Sequence, residues 1–133
     1  MQINFPLFVR AKDSGEVARF NSVQELQVQV EKIDIENEEY EAWDKDGLPV
    51  GLKLQNPVWI KLELLTEGYD PDRLRRALLD YANSVGVQLP DQLPISAFET
   101  ALSQIRAEQE KKMLASSPVR RFFARFKQPS PSQ

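Results

Sequence analysis

The sequence contains no cysteine and no histidine. Without cysteine there is no disulfide framework, and without both residues there is no Cys/His zinc site, no iron–sulfur ligation and no Cys–His or Ser–His–Asp nucleophile in this chain. The side chain best suited to proton transfer near neutral pH is also missing. Chemistry by carboxylates, Lys, Tyr or Arg stays open, as does metal binding through oxygen. Long hydrophobic runs are lacking too. Val58–Leu65 is broken by Lys61 and Glu63, and nothing approaches the roughly 20 apolar residues of a membrane span. The start, Met1-Gln2-Ile3-Asn4-Phe5-Pro6, has neither the basic nor the apolar region of a signal peptide, so a cytoplasmic protein is expected.

What is present is ordinary for a globular domain: 133 residues, 41% hydrophobic and 28% charged, with a net charge of −3. That allows one domain with a modest core. The acidic total argues against nucleic-acid binding by the domain as a whole, though not by a local patch.

Ile3–Lys12 reads as a strand, with Pro6 suited to its start, and Val17–Phe20 as its hairpin partner across the turn Asp13-Ser14-Gly15-Glu16. A helix follows. Ser22 and Glu25 match a capping box, and Val23, Leu26, Val30 and Ile33 make one apolar face. Tyr40–Trp43 and Leu48–Leu54 predict a second hairpin around Asp44-Lys45-Asp46-Gly47. Val58–Leu65 is a further strand, with Val58, Ile60, Leu62 and Leu64 on one face and Trp59, Lys61, Glu63 and Leu65 on the other. Beyond it Asp70 predicts an N-cap, Leu74, Leu78, Tyr81 and Val85 a helical stripe, and Gly86 a stop. Ser96 with Glu99 gives another capping-box pattern ahead of Phe98, Leu102 and Ile105.

The expected fold is α+β: a small, mainly antiparallel sheet in the order β-β-α-β-β-β-α-α, packed by helices, with a basic C-terminal tail. One domain spans 1–117, strand-rich over 1–66 and helical over 70–115. The helical part reads as an αα-hairpin lying on the sheet or extending from it. A basic aromatic segment covers 118–127, and 128–133 is Pro/Ser/Gln-rich and expected to be disordered.

Charge segregation is the sharpest signal. Between Glu25 and Asp46, nine acids face two bases, leaving −7; between Lys111 and Lys127, six bases face no acid, leaving +6. The plainest reading of the acidic stretch is a solvated face. A second is a docking face for a basic partner, built from Glu38, Glu39, Glu41 and Asp44 with Tyr40 and Trp43 as aromatic anchors. Such a ridge of carboxylates suits inhibition of a nucleic-acid-processing enzyme. A calcium loop over Asp44–Gly47 fails on spacing, because Ala42 and Lys53 would fall at obligatory ligand positions.

In the basic stretch, Val119, Phe122, Phe123 and Phe126 share one helical face, flanked by Arg120, Arg121, Arg125 and Lys127. They either fold back on the domain or contact a groove in a protein partner, an anionic membrane surface, or RNA or DNA. The cluster Arg73-Leu74-Arg75-Arg76 reads as an exposed, salt-bridged face, with a phosphate patch as the alternative. Abundant carboxylates single out no catalytic pair, and no cofactor or metal is expected.

The segments Asp13-Ser14-Gly15-Glu16 and Glu38-Glu39-Tyr40-Glu41-Ala42-Trp43-Asp44 resemble small uncharacterised bacterial proteins of cyanobacterial type, over about the first half of the chain. The resemblance implies a cytoplasmic bacterial regulator and transfers no activity. Together these features predict a non-enzymatic adaptor or inhibitor of a protein partner, with nucleic-acid or membrane-surface binding by the tail as the alternative.

Overall fold

The computed structural model describes residues 2–56, 58–65, 70 and 72–115. The first hairpin forms as β1 (Leu7–Ala11) and β2 (Val17–Phe20). The strand predicted from Ile3 starts only at Leu7. Its lead-in is tied instead to the second turn, where the Lys45 amide donates to the Asn4 carbonyl at 2.8 Å.

The single helix predicted through Ile33 is two. α1 (Val23–Gln29) ends at Val30, whose backbone is extended, and α2 (Lys32–Glu36) starts a new phase. The break lets both Val30 and Ile35 reach the core, while Ile33 is left 58% exposed. At the start of α1, the Ser22 hydroxyl accepts from the Glu25 amide, and the Glu25 carboxylate accepts from the Asn21 amide. This is the capping chemistry expected, displaced by one residue on the return bond.

β3 (Tyr40–Trp43) and β4 (Pro49–Leu54) make the second hairpin, and β5 (Ile60–Leu64) completes the sheet. Gly47 turns the second hairpin at φ 85°, a conformation that costs glycine little. The strand order is β2-β1-β3-β4-β5 and every pairing is antiparallel. The chain therefore crosses the sheet through α1 and α2 to set β3 beside β1.

α3 (Arg73–Val85) and α4 (Phe98–Ala115) follow. Asp72, two residues later than predicted, is the N-cap of α3; Asp70 instead accepts the Asp72 amide on its carboxylate. Gly86 ends α3 in the left-handed region as predicted. The Ser96–Glu99 capping pattern does not start α4. Ile95–Ala97 forms a 3-10 turn after Pro94, and Glu99 reaches across to Arg19 at 2.7 Å.

The fold is α+β, and the helices sit on both faces of the sheet. On one face Phe8, Val17 and Trp43 join the buried stripes of α3 and α4. Phe8 and Phe98 meet edge to face at 6.4 Å. On the other, Leu7, Val9, Ala18, Phe20, Ala42 and Val50 pack with Leu26, Val30 and Ile35 of α1 and α2. Central β1 is covered on both sides, which is why Leu7, Phe8 and Val9 are all apolar and all buried. Among the described residues no helix is long and apolar enough to cross a membrane.

Candidate functional site

The acidic stretch does not form one exposed ridge. Trp43 is 2% exposed and lies between the sheet and the α3/α4 layer. Tyr40 is buried, its hydroxyl 3.2 Å from the Asp34 carboxylate. Neither is an aromatic anchor open to a partner, because β3 is central and covered on both faces. Asp44 is fully buried; one carboxylate oxygen accepts the amides of Asp46 and Leu48, and the other accepts that of Asn4. It holds the turn together.

Glu41 is half-buried between two guanidinium groups. Arg73 approaches at 2.6 Å and Arg10 at 3.4 Å. Glu39 gives its carbonyl to the Lys12 amide. Glu38 is exposed in a left-handed turn after α2. The arginine cluster behaves as a salt-bridged face: Arg73 holds Glu41, Arg75 holds Asp72 and Arg76 holds Asp70. Arg120, Arg121, Phe122, Phe123, Arg125, Phe126 and Lys127 lie outside the described residues.

The acidic stretch does border a concavity, where Glu38, Tyr40, Glu41 and Trp43 meet residues that the sequence did not single out, among them Gly51, Lys53 and Leu65. β3 pairs with β4 only at Ala42–Val50 and Trp43–Pro49. Beyond these pairs a concavity of about 430 Å³ opens, walled by Glu41, Gly51, Lys53, Leu65, Asp70 and Arg73 among others. Gly51 has no side chain to hold Leu65 away, and an added Cβ would stand 3.3 Å from Leu65 Cδ2. Leu65, which follows β5 and lines the concavity, is 41% exposed, and Trp59, which precedes β5, is 58% exposed.

Charges here are paired on the surface. Lys53 and Glu63 meet at 2.8 Å. That hydrogen bond and its charge attraction lower the Glu63 carboxyl pKa and raise that of Lys53. The Arg76 hydrogen bond lowers Asp70 in the same way. Each shift fixes the charged form, the reverse of what a general acid or base near neutrality requires.

The outer edge of β5 completes the site. Bonds from the Gln55 amide to the Trp59 carbonyl, and from the Leu65 amide to the Pro49 carbonyl, set which residues face β4. By alternation, Lys61 and Glu63 also bond inward, and the backbone groups of Ile60, Leu62 and Leu64 point outward. The Gln27 carboxamide spans the start of this edge. It donates to the Val58 carbonyl at 2.9 Å and accepts from the Ile60 amide. Among the described residues nothing pairs with the outward groups of Leu62 and Leu64.

At the opposite edge α4 reaches β2: Arg106 donates to the Val17 carbonyl at 2.9 Å, and the Arg19 side chain is bound to Glu99 of the same helix. The sequence signal for the open edge was the second face of β5, with two apolar residues at its ends and two opposite charges between them. No family model, curated protein or solved structure is detectably similar to this chain.

Proposed function

We propose that this chain is a protein-interaction domain, an adaptor or inhibitor, that takes an extended segment of a protein partner along the outer edge of β5. One observation carries the reading: a strand edge with no partner among the described residues lies beside an exposed tryptophan. Backbone groups on such an edge supply affinity to an added strand, and side chains of alternate residues supply selectivity. Natural sheets cover or blunt edges that are not meant to pair. Here α4 caps the Val17 carbonyl of β2, while among the described residues nothing covers Leu62 and Leu64 of β5. Trp59 and Leu65 flank the edge with apolar surface of the kind that anchors interfaces. The docking role read from the acidic hairpin passes to this strand, since Tyr40, Trp43 and Asp44 are buried. The basic segment 118–127 carries no part of the argument.

A photo-crosslinking residue at Leu65, introduced into the full chain in its own cell lysate, tests the proposal. A discrete protein adduct is expected, lost on Trp59→Ser and not formed by the same group at exposed Asp80 on α3. No adduct from position 65, or one indifferent to Trp59, overturns it.

A further inference from the structure

We infer that the partner is a second copy of this chain, the two β5 strands pairing antiparallel about Leu62 and joining two five-stranded sheets into one. The inference rests on the reading of β5 as the docking edge. It adds a partner and a register.

The register follows from the backbone and the charges. Within β5 the backbone groups of Ile60, Leu62 and Leu64 face outward. Two antiparallel copies must therefore set these residues opposite one another, and pairing centred on Leu62 is the register that engages all three on both copies; one step to either side centres on Lys61 or on Glu63. Centring on Lys61 puts lysine against lysine. Centring on Glu63 puts glutamate against glutamate. Like charges directly opposite are disfavoured in a sheet. Centring on Leu62 puts Lys61 against Glu63 of the second copy twice, once on each side of the two-fold axis. The same register sets exposed Trp59 against exposed Leu65 of the second copy, again twice. The row thus reads apolar, charged, charged, apolar from either end, as a self-complementary two-fold interface requires.

A second observation concerns Lys61. Within its own sheet its neighbour on β4 is Lys53, a like charge directly opposite. Lys53 turns its ammonium to Glu63 at 2.8 Å, and no described residue forms an ion pair with Lys61. Glu63 of the second copy supplies the missing carboxylate. Gln27 stands where the arriving strand would place a peptide group, and it yields the Ile60 amide to the Leu64 carbonyl of the second copy.

The test uses sedimentation of the full chain from micromolar to millimolar concentration. Wild type is expected to pass from monomer to dimer. Lys61→Glu and Glu63→Lys, both at surface positions, should each weaken dimerisation by about tenfold or more, since every substitution is felt twice across the axis. Mixing the two variants should restore a heterodimer. Gln27→Ala should tighten association several-fold.

Because the chain lacks cysteine, Lys61→Cys and Glu63→Cys give a direct register check. A mixed disulfide should form between the two variants faster than either forms with itself. A wild type that stays monomeric, charge variants without effect, no restoration on mixing, weaker association of Gln27→Ala, or preferred self-crosslinking would each overturn the inference. If the chain is monomeric and the Leu65 adduct contains a different protein, the docking reading stands and only the second copy falls.

Discussion

At the scale of single residues, the tightest demands come from a polar group held inside an apolar layer. Tyr81 is 3% exposed on α3, and its hydroxyl donates to Gln109 of α4. Gln109 in turn donates to the buried Glu16 carboxylate at 3.3 Å. The chain of bonds ties the first hairpin turn to both long helices. Burial raises the Tyr81 pKa above its usual value of 10.0; nearby Arg106 opposes the shift and Glu16 adds to it. The sign follows from proton linkage. Above pH 10 the unfolded chain releases this proton while the folded chain still holds it, so stability falls as pH rises from there and is intact below. Tyr81→Phe should remove that alkaline slope. It should also cost about 1–2 kcal/mol at neutral pH, because Gln109 loses a buried partner. Urea unfolding of both proteins on either side of pH 10 measures the two effects; equal slopes would remove Tyr81 as their source.

At the scale of elements, the end of α3 shows how local chemistry fixes a boundary. The Val87 amide donates to the Ala82 carbonyl at 2.8 Å and the Gly86 amide to that of Asn83 at 3.2 Å, the two bonds of a Schellman cap. Gly86 sits at φ 86°, and a Cβ there would lie 2.8 Å from Lys112 Nζ, which donates to the Val85 carbonyl. Gly86→Ala should therefore destabilise the protein by about 1–2 kcal/mol, through left-handed strain and a displaced lysine. Thermal or urea unfolding reads that loss directly. Boundaries of this kind were legible in the sequence, because a glycine turn needs only its own neighbours. The break between α1 and α2 was not, because it depends on where Val30 and Ile35 meet the sheet. The two tryptophans make the same point for the site. Trp43 ends β3 and Trp59 just precedes β5, but Trp43 is under α3 and α4 while Trp59 is left exposed. Alternation along a strand separates its two faces without saying which one a distant helix will cover. The acidic stretch misled for a related reason, since Arg10 and Arg73 come from elsewhere in the chain to hold Glu41.

At the scale of the whole molecule, the sheet is asymmetric. Its centre carries a core on each face, α4 reaches one edge through Arg106, and among the described residues Gln27 alone spans the other. Local opening should follow that layout, since protection against hydrogen exchange tracks burial and hydrogen bonding. Within β5 the pattern should alternate. Lys61 and Glu63 donate into β4 and should exchange slowly at every concentration, while Leu62 and Leu64 face outward and should exchange fast in dilute solution. If two copies join through β5, the Leu62 and Leu64 amides gain acceptors and must slow as concentration rises. The amides of Val17 and Arg19, on the far edge under α4, must not change. Residue-resolved exchange at low and high concentration separates the alternatives. Slowing confined to Leu62 and Leu64 places the contact on this edge, because no general tightening of the fold would select alternate residues of one strand. Association without that alternation would move the contact to another surface and remove β5 from the docking role.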